Sequence, residues 1–216
     1  GKGISGAISI GPVTVLKKKE TKIRRRGIDD PKKEIKRFEN ARTEAKNILS
    51  EIYEKALREV GEANAAIFEI HMMMVEDEDY NDAITEMITT QNVNAEYAVA
   101  VTGDNFAEMF SAMDDTYMQA RSADVKDISN RIISCLTNCG SAETQSDEPV
   151  IICADDLAPS ETVTLDKDKV LAFVTAHGSP NSHTAILARN MTIPPIIGVG
   201  ETFLSEISDG DTAVVN

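Results

Sequence analysis

The order of periodicities along the 216 residues predicts an α/β domain built from both chain ends, with an all-helical bundle inserted between them. Three observations carry this. Residues 3–16 and 149–216 hold short apolar and β-branched runs punctuated by Gly, Pro and Asp. Residues 31–137 repeat apolar side chains at threes and fours. The two patterns meet at polar stretches, Lys17–Arg26 and Ser141–Glu148. The expected boundaries are therefore 1–27 with 141–216 for the α/β domain, and 28–140 for the helical one.

Each element has a local cause. Gly3 to Leu16 alternates small and β-branched residues around Gly6, Gly11 and Pro12, which reads as strand, turn, strand. Lys17–Arg26 is a block of like charge, a solvated linker or edge strand that could also meet an acidic partner. Pro31 suits a first helical position, with Asp29 or Asp30 as cap. Ile35, Phe38, Ala45, Ile48, Ile52, Ala56 and Val60 then form one stripe, ended by Gly61. Further helices are expected over about 62–75, 80–90, 95–113 (capped by Asn94) and 114–137. Short connections make this an antiparallel bundle. Pro149–Ala154 is an apolar strand buried on both faces. Asp155–Glu161 is a turn or short helix, and Lys169–Thr175, Pro194–Gly200 and Thr212–Asn216 are further strands.

Composition narrows function. A formal charge of −14 argues against nucleic acid and anionic membranes, and for a basic protein partner or plain solubility. No apolar run is long enough to span a bilayer, and residues 1–3 open no signal peptide. Three cysteines fit a reducing, cytoplasmic setting. Cys135 and Cys139 could share a helix face, but no second Cys/His pair accompanies them, so no metal site is expected.

The chemistry concentrates at Ala176–Gly200. Gly178, Pro180 and Asn181 are turn residues, and Asn181 or Ser182 can cap the helix that follows. His183 then falls in the first turn, where unpaired N–H groups and the positive dipole end favour an anion. That setting suits an imidazole carrying a phosphoryl group. Taken alone, the local sequence favours the plainer reading, a histidine that merely caps a helix or makes one buried hydrogen bond.

Gly178, Ser182, His183, Ala185, Ile186, Ala188 and Arg189 stand where the phosphohistidine signature of the phosphoenolpyruvate-utilising family has its defining residues. Ser179 replaces a second glycine, and Pro180-Asn181 a common Arg-Thr pair. SGAISIGPV, AIFEIHMMMVEDEDY, YMQARSADVKDISNR and DLAPSETV occur in the same order as in the N-terminal half of the Enzyme I group of the bacterial sugar phosphotransferase system. The chain thus resembles that group along its whole length.

The resemblance implies a phosphohistidine (swivelling) domain bearing an inserted domain that docks the phosphocarrier HPr. It implies that His183 takes a phosphoryl group derived from phosphoenolpyruvate and passes it to HPr. Thr162 would hydrogen-bond that histidine, and Gly178, Ser179, Asn181, Ser182 and Arg189 would form the phosphate environment. Ala66, His71, Met74, Glu78, Asp79 and Arg121 match docking positions, with His71 a surface contact. Met72, Met73 and Met74 cannot all face one core, so at least one should reach the surface. Nothing resembles the C-terminal barrel that binds phosphoenolpyruvate and Mg²⁺. No cofactor is therefore expected here, nor autophosphorylation from phosphoenolpyruvate, and the chain should be a monomer. Two other readings remain: a swivelling domain of a pyruvate phosphate dikinase or phosphoenolpyruvate synthase-like enzyme, and a non-catalytic acidic docking module.

Overall fold

The structure is a computed structural model that describes residues 2–3, 8–16, 23–138, 148–178, 183–200 and 202–215, with the side chains of residues 2, 3, 183 and 184 excluded. The strands are β1 (Lys2–Gly3), β2 (Ser9–Leu16), β3 (Val150–Ala154), β4 (Val170–Thr175), β5 (Pro195–Ile197) and β6 (Thr212–Val215). The helices are α1 (Pro31–Val60), α2 (Glu62–Val75), α3 (Glu78–Gln91), α4 (Ala95–Ser111), α5 (Thr116–Thr137), α6 (Pro159–Thr164), α7 (His183–Asn190) and α8 (Thr202–Glu206). The chain divides into two compact units, residues 1–20, 54–65 and 142–216, and residues 21–53 and 66–141. Residues 54–65, expected in the helical block, thus belong to the sheet-bearing unit. Their anchorage is specific: Val60 packs on the sheet core, and Lys55 Nζ donates to the carbonyls of Thr164 and Leu165.

In the first unit the six strands run in the order β1-β5-β4-β3-β2-β6. Neighbours from β2 to β5 are parallel, while β1 and β6 join antiparallel at the edges. Both chain ends therefore build one sheet. Of the turn expected around Gly6, Gly11 and Pro12, the Gly6 part lies outside the described residues, while β2 runs straight through Gly11-Pro12. Pairing with β3 starts only at Val13, so Pro12, lacking an N–H, leaves no gap in that ladder. Both faces of β3 are covered, as a continuous apolar run requires. Val150, Ile152 and Ala154 pack with Phe173, Ala185, Ala188 and Met191. Ile151 and Cys153 pack with Ala172, Val174 and Val215, beneath Phe203 and Leu204 of α8, a helix the sequence pattern does not signal.

Burial pushes the Cys153 thiol up to about 11. The reactive species is the thiolate. At pH 8 this cysteine should therefore stay unmodified by a thiol reagent in the native chain and react only on unfolding. Rapid native modification at residue 153 would contradict this.

In the second unit the helices begin where side-chain oxygens meet backbone donors. Asp30 Oδ1 accepts from Lys32 N and Lys33 N at 3.0 and 3.2 Å ahead of α1. Asp77 accepts from Tyr80 N, so α3 starts at Glu78 and not at Tyr80. Asp115 likewise caps α5. Asn94 holds the cap position of α4 but makes no cap bond. Its Oδ1 accepts from Arg26 N at 2.8 Å, and the Glu34 carboxylate accepts from Ala95 N instead. Along α1 the fully buried residues are Phe38, Ala41, Ala45, Leu49, Ile52 and Ala56, so Leu49 displaces Ile48 from the expected stripe. At Gly103 of α4, an added Cβ would lie 2.9 Å from Ser129 Cβ of α5, so only glycine permits this approach.

A polar network ties the starts of α1 and α4 to the end of α5. Arg37 bonds Glu34, Glu96 and the Leu136 carbonyl, and Asn94 Nδ2 donates to Glu96 Oε2 at 2.8 Å. Burial pushes the Glu96 carboxyl up, but the hydrogen bonds and charge of Arg37 and the bond from Asn94 outweigh it, leaving the group below its ordinary range. A carboxyl depressed on folding contributes stability above its unfolded pKa and loses it as pH falls through the folded one. Stability should therefore be flat from neutrality to about pH 4.5 and fall below that. Urea midpoints against pH test this, and Glu96→Gln should flatten the acid limb.

Candidate functional site

Strand β4 ends at Thr175 beside the end of β3, on the carboxyl edge of the parallel strands. That edge is where α/β sheets present ligand-bearing loops. The two segments stay paired beyond the strands, since Ala176 N donates to Ala154 O at 3.0 Å and His177 N to Asp155 O at 2.9 Å. The Thr175 carbonyl also accepts from Gly198 N and Val199 N, and its hydroxyl donates to the His177 carbonyl at 2.7 Å. Gly178 follows at φ +106°, where a Cβ would lie 3.0 Å from Ile197 Cγ2 and 3.3 Å from Asp156 Oδ1. Conformation and space both demand glycine there.

His183 is the first residue of α7. Its side chain lies outside the described residues, as do Ser179, Asn181 and Ser182 of the expected phosphate environment. The helix is held by Ala185 and Ala188 in the core, and it ends where Thr192 takes φ 62° and Ile193 N reaches back to Ala188 O. Helix α6 packs against α7. Thr162, within α6, is fully buried, and its hydroxyl donates to the Ala158 carbonyl at 3.1 Å. With its proton so engaged, the oxygen is available to a ring N–H as an acceptor. Arg189 is exposed in the last turn of α7, where Nε donates to Ala185 O at 3.2 Å.

One pair on this edge went unread in the sequence. His177 Nδ1 lies 3.0 Å from Asp155 Oδ1, and both side chains are about half exposed. The signal was available, since Asp155 and His177 each follow the last residues of two apolar strands. Only the parallel pairing of β3 and β4 makes them neighbours.

The candidate docking residues divide. Ala66 and Met74 are half-buried, and Glu78 and Asp79 are exposed in the first turn of α3. Met73, not Met74, is the fully presented methionine, at 72% exposure. His71, expected at the surface, is entirely buried, and that expectation is corrected. It lies on the buried stripe of α2 with Phe68 and Val75, three residues before and four after it. Its Nε2 lies 3.2 Å from Asp124 Oδ1 and its Nδ1 3.6 Å from Asp127 Oδ2, both on α5, which gives the imidazole polar company. Arg121 is likewise nearly buried. Its guanidinium carbon sits 4.5 Å from the Tyr117 ring centroid, and Nη1 donates to Asp124 Oδ2 at 2.9 Å. Burial pushes the Asp124 carboxyl up, but the bonds and charges of His71 and Arg121 outweigh it and hold the group below its ordinary range. Tyr117, above Arg121, is the exposed member of the cluster.

Among the described residues no group of three or more His, Cys, Asp or Glu could hold a metal ion. No described helix is long and apolar enough to cross a membrane.

Against known proteins, a family model described as the N-terminal part of phosphoenolpyruvate-utilising enzymes matches residues 1–121, and one for the mobile domain of these enzymes matches residues 146–216. A phosphoenolpyruvate-protein phosphotransferase of Bacillus sp. (strain S) is 37% identical over 213 residues, covering 98% of this chain and 37% of the relative. One from Bacillus subtilis (strain 168) is 35% identical over 217 residues, covering 100% of this chain and 38% of the relative. The chain thus spans under two-fifths of the length of these relatives. A solution structure of an Enzyme I protein matches with TM-score 0.80 at 34% identity, covering 99% of this chain and 87% of the other. The N-terminal domain of a nitrogen Enzyme 1 matches with TM-score 0.70 at 22% identity, covering 97% and 86%, a likeness of fold alone.

Proposed function

The chain belongs to the phosphoenolpyruvate-utilising enzyme family, and from that premise we propose that it is a phosphotransfer protein whose His183 exchanges a phosphoryl group with the carrier HPr. The observation that supports this best is the position of His183. It opens α7 after β4 has left the sheet through Gly178, inside the segment matched by the mobile-domain model. A neutral imidazole nitrogen attacks the phosphorus of a phosphorylated HPr histidine. The donor's P–N bond breaks as a new one forms, and the leaving ring keeps a proton on its other nitrogen. Thr162 positions the acceptor ring, while Gly178, Ser179, Asn181, Ser182 and Arg189 surround the phosphate.

In this reading the sheet domain is a swivelling phosphohistidine domain, and the helical residues inserted in it dock HPr. Glu78 and Asp79 offer carboxylates to a basic partner, and Ala66, Met73 and Met74 offer apolar contact. Arg121 acts from below, with its guanidinium against the exposed Tyr117 ring. The phosphoryl group originates on phosphoenolpyruvate, bound with Mg²⁺ by a C-terminal domain outside these residues.

The test is incubation of the chain with phosphorylated HPr and Mg²⁺-free buffer. An acid-labile, base-stable phosphate on the peptide carrying His183, returned on addition of unphosphorylated HPr, is the expected result. A chain that binds HPr without gaining phosphate would be a docking module and nothing more.

A further inference from the structure

Basic side chains converge in the helical unit at a place that neither the phosphotransfer chemistry nor the docking surface uses. Lys33, Lys36 and Arg37, with Asn40 and Glu44, line an open cleft of about 430 Å³ between α1 and the end of α5. These positions recur at threes and fours, so α1 turns one polar face toward the cleft. Residues 24–37 carry seven basic and three acidic side chains, in a chain whose formal charge is −14. The carboxylates nearest to hand are already engaged. Arg37 bonds Glu34, Glu96 and the Leu136 carbonyl, and Arg26 lies 3.6 Å from Glu96. Lys33 and Lys36, both exposed, enter no ion pair among the described residues. Two ammonium groups three residues apart on one helix face repel each other, and an anion between them relieves that repulsion.

The other end of the cleft has different chemistry. Glu44 stands eight residues beyond Lys36, about 12 Å along the helix axis, and its carboxylate only accepts hydrogen bonds. The Asn40 and Asn138 amides, which both donate and accept, also line the cleft, and buried Ala41 and Leu136 give it apolar surface. A second carboxylate on a ligand would meet Glu44. No aromatic side chain lines the cleft, so a nucleobase would find no stacking surface. We propose that this cleft binds a phosphate monoester of a polyhydroxylated carbon chain. The phosphate lies between Lys33 and Lys36 in the field of Arg37, and the hydroxyls bond Glu44 and the two amides.

Glucose 6-phosphate is the probe, with inorganic phosphate and glucose beside it, in calorimetric titrations at low salt and about pH 7.5, where the monoester is mostly a dianion. Its dissociation constant should be about 1 mM or lower, within reach of a ligand of this size, with inorganic phosphate about tenfold weaker and glucose silent. Lys33→Met combined with Lys36→Met should weaken binding at least about tenfold, the scale of losing charge-assisted hydrogen bonds. Lys32→Met, at an exposed lysine outside the cleft, should leave binding unchanged. Glu44→Gln should weaken glucose 6-phosphate and spare inorganic phosphate. All four side chains are exposed, so the fold is retained, which far-UV circular dichroism checks. Glucose 6-phosphate that binds no tighter than inorganic phosphate, or that survives the double substitution, overturns the proposal. His183→Ala should bind the probe as the native chain does, so this site and the phosphotransfer reading stand or fall separately.

Discussion

Replacing Asp124 by alanine is expected to destabilise the helical unit by about 3–5 kcal/mol, among the largest single effects available in this chain. Asp124 is 4% exposed and stands between His71 on α2 and Arg121 on its own helix. Truncation leaves a buried imidazole and a nearly buried guanidinium without their shared acceptor, and uncompensated burial costs far more than an intact pair contributes. The control is Asp104→Ala. Asp104 also pairs with a cation, Lys126, but both side chains are about half exposed or more, so the loss should stay within about 1 kcal/mol. Urea denaturation followed at 222 nm measures both. Equal losses at the two sites would mean that the His71 cluster contributes no more than a solvated ion pair.

Replacing His183 by alanine is expected to cut phosphoryl exchange with HPr by about three orders of magnitude or more, the common result of deleting a covalent nucleophile. Binding of HPr, read by calorimetry, should change by less than about tenfold. The proposed docking groups lie on α2, α3 and α5, in the unit that does not contain residue 183. Exchange that survives at the wild-type rate would remove His183 from the chemistry. Exchange and binding lost together would assign it to docking.

Much of the fold is legible without coordinates, for physical reasons visible at particular residues. Pro31 and Gly61 bracket α1 because one fits a first helical turn and the other takes φ +81° after the last. Glu62–Val75 emerges with both ends as expected. The continuous run Val150–Ala154 reads as a strand covered on both sides, and it is one. Errors fall where local chemistry has a long-range competitor. Gly11-Pro12 resembles a turn until a parallel neighbour begins just beyond it. Asn94 resembles a cap until Arg26 takes its carbonyl oxygen.

The site divides along the same line. Sequence by itself determined that residue 183 would begin a helix after a Gly/Ser/Pro/Asn exit from a strand, because capping, turn and periodicity rules act over a few residues. It also determined that the chain would alternate sheet, helices and sheet, since side-chain period is a local property. Only the tertiary structure decided that His71 is interior and that His177 is paired. In each case the deciding partner, Asp124 or Asp155, is tens of residues away. Whether a histidine faces water or a carboxylate depends on what packs against it, and no short stretch of chain carries that information.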